Sequence, residues 1–162
     1  MRSFLFATLI LPIGLVAGCG GEPTGVPITD SNRAEAALND VGQIFRLYTF
    51  SNHKPPKTIA DFASFEAINA MGVLALRDGS VVARSGVVIQ DVEEGPATKD
   101  SADEVMAYAK EVPTSGGPVL MHNRTIRQMT ADEFKAAKLA GDGIMAKGTV
   151  GKTKPAAAPV GK

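Results

Sequence analysis

The chain has 162 residues, with seventeen Lys or Arg against seventeen Asp or Glu, so its formal charge is zero and nothing in the total favours nucleic acid. It has no tryptophan, only two tyrosines and seven phenylalanines, which leaves little material for a carbohydrate platform of stacked rings. A single cysteine excludes a disulfide framework, and the length fits one domain.

At the N-terminus one positive charge, Arg2, precedes an apolar run from Phe4 to Leu15 that no charge interrupts. A basic start, a short apolar core and small residues after it have the layout of a secretory signal. The core falls short of the ~20 apolar residues that a bilayer-spanning helix needs, and Pro12 and Gly14 weaken a permanent span. Val16-Ala17-Gly18-Cys19 follows, where an ordinary signal would carry Ala-x-Ala. This tetrapeptide resembles a lipobox, the motif of bacterial lipoproteins. The resemblance implies cleavage between Gly18 and Cys19 and diacylation of the Cys19 thiol. It also implies attachment to the cell membrane or outer membrane, facing the periplasm or the exterior. Two acyl chains hold a protein stably where one holds it reversibly. Residues 1–18 are thus read as a signal peptide, and residues 19–29, opening Cys-Gly-Gly-Glu-Pro-Thr-Gly, as a flexible tether.

Residues 30–140 are expected to form the domain. Asn32 with Glu35 three places on has capping-box spacing. Ala34, Ala37, Leu38, Val41, Ile44, Phe45 and Tyr48 then recur at three- and four-residue steps, which predicts an amphipathic helix to Tyr48 or Phe50. Pro55-Pro56 ends it. Thr58 with Asp61 predicts a second, shorter helix carrying Ile59, Phe62, Phe65 and Ile68. Beyond Gly72, the segments Val73–Arg77 and Ser80–Arg84 flank Asp78-Gly79, which predicts a hairpin, with Gly86–Ile89 extending it or adding a strand. An acidic loop follows: Asp91, Glu93, Glu94, Asp100, Asp103 and Glu104. Val105–Ala109 predicts a strand and Pro113–Pro118 a loop. Val119–His122 and Thr125–Met129 predict a second hairpin through Asn123-Arg124. Thr130–Glu133 is a capping box opening a final helix to Leu139. The class is α+β: a long helix and a short one on a small antiparallel meander sheet, closed by a short helix.

Residues 141–162 are mostly Gly, Ala, Lys, Pro, Thr and Val, with Lys147, Lys152, Lys154 and Lys162 and no acid after Asp142. Such a composition buries too little apolar surface to offset the entropy of ordering and predicts a disordered basic tail.

Pro55-Pro56-Lys-Thr-Ile-Ala-Asp-Phe62 after a long helix, Ala107-Tyr108-Ala-Lys-Glu-Val-Pro-Thr-Ser-Gly116-Gly117, and Val119-Leu-Met-His-Asn-Arg-Thr-Ile-Arg-Gln-Met129 running into Thr-Ala-Asp-Glu-Phe134 carry a further resemblance. Over roughly residues 30–139 the chain resembles small secreted proteins of planctomycete-type bacteria, which are themselves similar to the globular part of type II secretion pseudopilins. The resemblance implies a helix packed on a small sheet and partners among envelope or secretion-system proteins. Where a pilin has its own apolar membrane helix, this chain has a lipid site and a polar helix start at Arg33, which implies a tethered domain and not a filament subunit.

For chemistry, His53 and His122 are the only histidines, and neither has a ligand-spaced neighbour. The acidic loop is a candidate for Ca²⁺, which some pseudopilins bind in such a loop, but the EF-hand spacing is absent and a solvated loop is the expectation. Ser115 lacks an evident base, and it and Thr114 are assigned to a turn. Gly116-Gly117 lacks the context of a phosphate loop, and Asp132-Glu133 is assigned to capping. No catalytic, cofactor or metal residue is therefore assigned. Cys19 is the one site expected, with the bilayer as its partner through the acyl chains. The function expected is that of a non-enzymatic accessory or protein-binding lipoprotein. The alternatives are a spacer whose basic tail contacts anionic envelope polymer and a hydrolase with an unassigned site.

Overall fold

The computed structural model describes residues 28–30, 32–90, 93, 95–97 and 103–148. Helix α1, Arg33–Asn52, buries Ala37, Leu38, Val41, Ile44, Phe45 and Tyr48, the stripe that the periodicity predicts. It ends as His53 turns left-handed (φ 52°) and donates its N–H to the Thr49 carbonyl at 2.8 Å. The expected capping box at its start does not form. The Asn32 side chain instead accepts from the Thr29 N–H at 2.7 Å, and the Glu35 carboxylate receives the Gln128 amide at 2.6 Å. The second helix, Ile59–Phe65, begins where expected but is a tight 3-10 helix. The Asp61 carboxylate takes the N–H groups of Lys57 and Thr58, each at 2.9 Å, and Ile68 is left exposed beyond its end.

The hairpin predicted at Asp78-Gly79 is corrected by the structure. Residues Ala70–Asp78 form helix α2, and Gly79 (φ 83°) is its left-handed C-cap, donating to the Ala75 carbonyl at 3.1 Å. Asp-Gly serves a helix end as readily as a two-residue turn, because both use the positive φ that glycine adopts freely. Burial settles the period: Val73 and Leu76 are buried while Leu74, which alternation would pair with Leu76, is exposed. Gly72 lets α2 cross α1 closely, since a Cβ there would lie 2.7 Å from the Asp40 Cβ.

Strands β1 (Val81–Ser85), β2 (Glu104–Ala109), β3 (Gly117–Met121) and β4 (Ile126–Met129) make an antiparallel meander, with the second predicted hairpin in place. Residues 86–89 add no strand. Gly86 (φ 72°) turns away and donates to the Pro56 carbonyl, leaving Val87 and Ile89 to fill the core from a loop. In place of a loop from Pro113, helix α3 spans Val112–Ser115, with proline in its first turn, where its missing N–H has no cost. Helix α4, Ala131–Ala136, opens with the expected Thr130–Glu133 capping box but stops short of Leu139. Lys138–Leu139 become β5, parallel to the start of β2, and Gly143–Ile144 become β6, antiparallel to the end of β1.

The fold is α+β with a six-stranded sheet in the order β4-β3-β2-β1-β6, β5 pairing with β2. Its two faces are covered differently. The larger core lies under α1, α2 and the 3-10 helix and centres on Phe45, Phe62, Leu38 and Ile44. The smaller lies under α3 and α4 and is built on Val105, Tyr108, Val112, Val119 and Phe134. Burial of Val105–Ala109 on both faces explains why β2 is an unbroken apolar run.

The domain also extends past the boundary expected at Ala140. Met145 is buried, the Asp142 N–H bonds the Ser85 carbonyl at 2.8 Å, and Ile59 and Ala60 donate to the Ala146 and Lys147 carbonyls. The expected tail thus begins no earlier than residue 149. Gly141 (φ 66°) makes this return possible, since a Cβ there would meet the Ser85 carbonyl.

Candidate functional site

The expected lipidation site, Cys19, with the signal and most of the tether, lies outside the described residues, as do Asp91, Glu94 and Asp100 of the acidic loop and residues 149–162. The other residues singled out by sequence are placed clearly.

Ser115 and His122 are not brought together. They lie beyond opposite ends of β3, whose five residues at ~3.4 Å each extend about 17 Å. Ser115 is exposed at the end of α3 beside Thr114, whose hydroxyl donates to the Glu111 carbonyl at 2.9 Å, so both serve the turn as expected. His53 caps α1 and borders an open cavity of about 460 Å³ with Phe50, Lys54 and Val88. His122 is spent on structure. Its Nε2 lies 2.8 Å from the Val88 carbonyl, which can only accept, so that nitrogen carries the proton. Its buried Nδ1 faces the Glu104 carboxylate at 3.6 Å without a hydrogen bond. Among the described residues, no three His, Cys, Asp or Glu side chains are grouped as metal ligands would be.

The described part of the acidic loop is organised by a residue that sequence reasoning passed over. Arg124 is buried, and its Nη2 donates to the Glu93 and Gly95 carbonyls at 2.7 and 2.6 Å. A guanidinium therefore takes loop carbonyls of the kind that a calcium reading would assign to the ion. Arg124 has φ 65°, a conformation uncommon for a residue with a side chain, and its N–H donates to the Met121 carbonyl at 2.8 Å within the turn. The one available signal was Arg at a turn position where Asn or Gly would be unstrained.

Of the carboxylates with displaced pKa values, Asp61 and Glu133 cap helices and Asp78 holds the turn after α2. Asp61 is pushed up by burial, but the N–H groups of Thr58 and Lys57, the Thr58 hydroxyl and Lys54 outweigh this and hold it below its ordinary value. Glu133 is lowered by the N–H and hydroxyl of Thr130. Asp78 is lowered by the Ser80 N–H and hydroxyl against slight desolvation, with the Lys147 ammonium adding to the effect.

What remains is a surface. Between the start of α1 and α2, an open groove of about 560 Å³ is lined by the apolar side chains of Ala34, Ala37, Met71, Leu74 and Val81. Leu74 is 54% exposed there, a large apolar side chain left unpacked on a helix. The rim carries Asp30, Asp78 and Glu111, with Arg33 already paired to Asp30 at 3.0 Å. Such a groove, apolar below and acidic at the edge, can hold an extended or helical segment carrying small apolar residues and cations. Compared with protein-family models, curated proteins and solved structures, the chain matches none.

Proposed function

We propose that this protein is a cell-envelope lipoprotein, held to a membrane by acyl chains on Cys19, whose α+β domain binds other proteins and catalyses nothing. The observation that carries the reading is Val16-Ala17-Gly18-Cys19 directly after the short apolar run. The domain is consistent with it. Helix α1 begins at the solvent-exposed Asp30–Arg33 ion pair and buries only one stripe along its length. Among the described residues no helix is long and apolar enough to cross a membrane. Binding is supported by the α1–α2 groove, where Leu74 and the acidic rim offer an interaction surface. The pseudopilin-like order of a helix followed by a small meander adds envelope and secretion-system proteins as the class of partner.

Replacing Cys19 with Ala tests the anchor. The variant is expected to lose incorporated acyl label and to leave the membrane fraction, whereas persistent membrane attachment overturns the reading. The spacer alternative rests on the lysines near the C-terminus and is tested by cosedimentation with cell wall after deletion. The deletion must remove residues 149–162 only, because Gly141–Gly148 belong to the fold.

A further inference from the structure

We propose that His122 and Glu104 form a proton-operated latch on the loop of residues 86–90. With the ring neutral, a single bond from His122 holds the loop. With the ring protonated, His122 is fixed at both nitrogens and grips the loop more firmly.

Residues 86–90 belong to no strand, yet Val87 and Ile89 fill the core while Val88 between them is 54% exposed. The Gly86 N–H fastens the start of the loop by donating to the Pro56 carbonyl at 3.2 Å. Its middle is held by His122, whose Nε2 lies 2.8 Å from the Val88 carbonyl. A carbonyl only accepts, so this bond fixes the tautomer and leaves Nδ1 as a bare lone pair. That lone pair is buried, has no hydrogen-bond partner among the described residues, and lies 3.6 Å from a Glu104 carboxylate oxygen. Two acceptors thus face each other, which costs free energy in a site shielded from water.

The backbone keeps the two groups together. His122 directly follows β3, Glu104 opens β2, and the His122 N–H donates to the Glu104 carbonyl at 2.7 Å. The side chains are therefore cross-strand neighbours. A proton on Nδ1 turns the repulsion into a charge-assisted hydrogen bond and leaves the bond from Nε2 to Val88 as it was. The Glu104 side chain is 38% exposed and has room to close the gap, whereas the ring is 13% exposed and held in place.

Among the described residues, Glu104 faces the ring from β2, with Asp103 before it and Lys138 beside it in the β2–β5 register. Arg124, in the same turn as His122, donates to the Glu93 and Gly95 carbonyls, and residues 86–90 carry no charge. His53, the other histidine, and Lys54 line the same open cavity as Val88. An imidazole changes charge between about pH 5 and pH 8. The extra bond is present on the acid side of that change and is lost as pH rises through it. The wall that Val88 gives to the cavity, opposite Phe50 and His53, is then held tightly in acid and loosely in alkali.

The test uses the protein with His53→Gln, in which His122 is the sole imidazole. Nitrogen NMR of the ring is expected to show a proton on Nε2 alone at about pH 8 and on both nitrogens at about pH 5. The amide signals of Val88 and Ile89 should shift with the same midpoint as the ring. From about pH 8 to about pH 5, the unfolding equilibrium constant should fall at least about threefold more than it does with Glu104→Ala added. That is the size of a charge-assisted bond discounted for a half-exposed partner. His122→Gln, whose amide N–H can still reach the Val88 carbonyl, should keep the fold and lose the pH response. A proton on Nδ1 at about pH 8 would overturn the proposal. So would an equal pH response with and without the Glu104 carboxylate, or loop amides that do not follow the ring.

Discussion

The two faces of the sheet use the same strands to very different effect. Under α1, α2 and the 3-10 helix, Phe62 is fully buried and meets both Phe45 (ring centroids 5.1 Å apart, tilted) and Tyr48 (5.8 Å, edge-on), so three aromatic rings lock the 3-10 helix onto α1. On the other face one aromatic pair, Tyr108 with Phe134 at 4.6 Å, is covered by two helices of four and six residues. A chain poor in aromatics concentrates them where long elements meet and closes the second face with capped turns. The groove opens on the thickly packed side, between the first turns of α1 and the length of α2. A rigid core and the groove thus share the same two helices, which keeps the groove preorganised.

The sharpest break of this contrast is Phe62→Ala set beside Phe134→Ala. The first should cost about 3–5 kcal/mol in denaturant unfolding, the range for emptying a fully buried aromatic site. The second should cost about 2 kcal/mol, below that range, because Phe134 keeps 8% of its surface exposed where Phe62 keeps none, and a six-residue helix can settle into the space. Equal losses would mean that the two faces contribute alike.

Two truncations compare next. Ending the chain at Ala140 removes buried Met145 and leaves the Ile59 and Ala60 N–H groups without their carbonyl partners, at an expected cost of about 2–3 kcal/mol. Ending it at Gly148 should change stability by less than about 0.5 kcal/mol, as for most surface changes. The smallest effect concerns the cap beneath Phe62. Asp61→Asn should cost about 1 kcal/mol at neutral pH, typical of a lost N-terminal cap. The folded-state pKa of Asp61 is lowered, so its contribution is present above the unfolded carboxylate value of 3.8 and fades as pH falls through the folded one. The loss of stability below pH 4 should therefore be shallower in the variant than in the parent.

Much of this was legible because it depends on local chemistry. The stripe from Ala37 to Tyr48, the Thr130–Glu133 box and the hairpin around Asn123-Arg124 each follow from spacing that no tertiary contact opposes. The errors fall where one signal serves two structures. Asp78-Gly79 ends a helix as well as it turns a hairpin, and Val73–Leu76 is too short for periodicity to separate nine residues of buried helix from a strand. Gly141–Gly148 looked like a tail because its order comes from partners far off in sequence, the Ser85 and Ala83 carbonyls and the backbone of the 3-10 helix. Arg124 was hidden for the same reason, since its function is fixed by carbonyls twenty-nine and thirty-one positions away. The α1–α2 groove has no sequence signature, as it exists only once α2 is a helix.

The proposed anchor on Cys19 is tested most directly by the intact mass of the protein extracted from cells expressing the full chain, with fragmentation of its N-terminus. The expected species begins at Cys19 and carries a diacylglyceryl group on the thiol, with or without a further acyl chain on the new amino group. A mature chain that begins elsewhere, or one that begins at Cys19 with a free thiol, would contradict it.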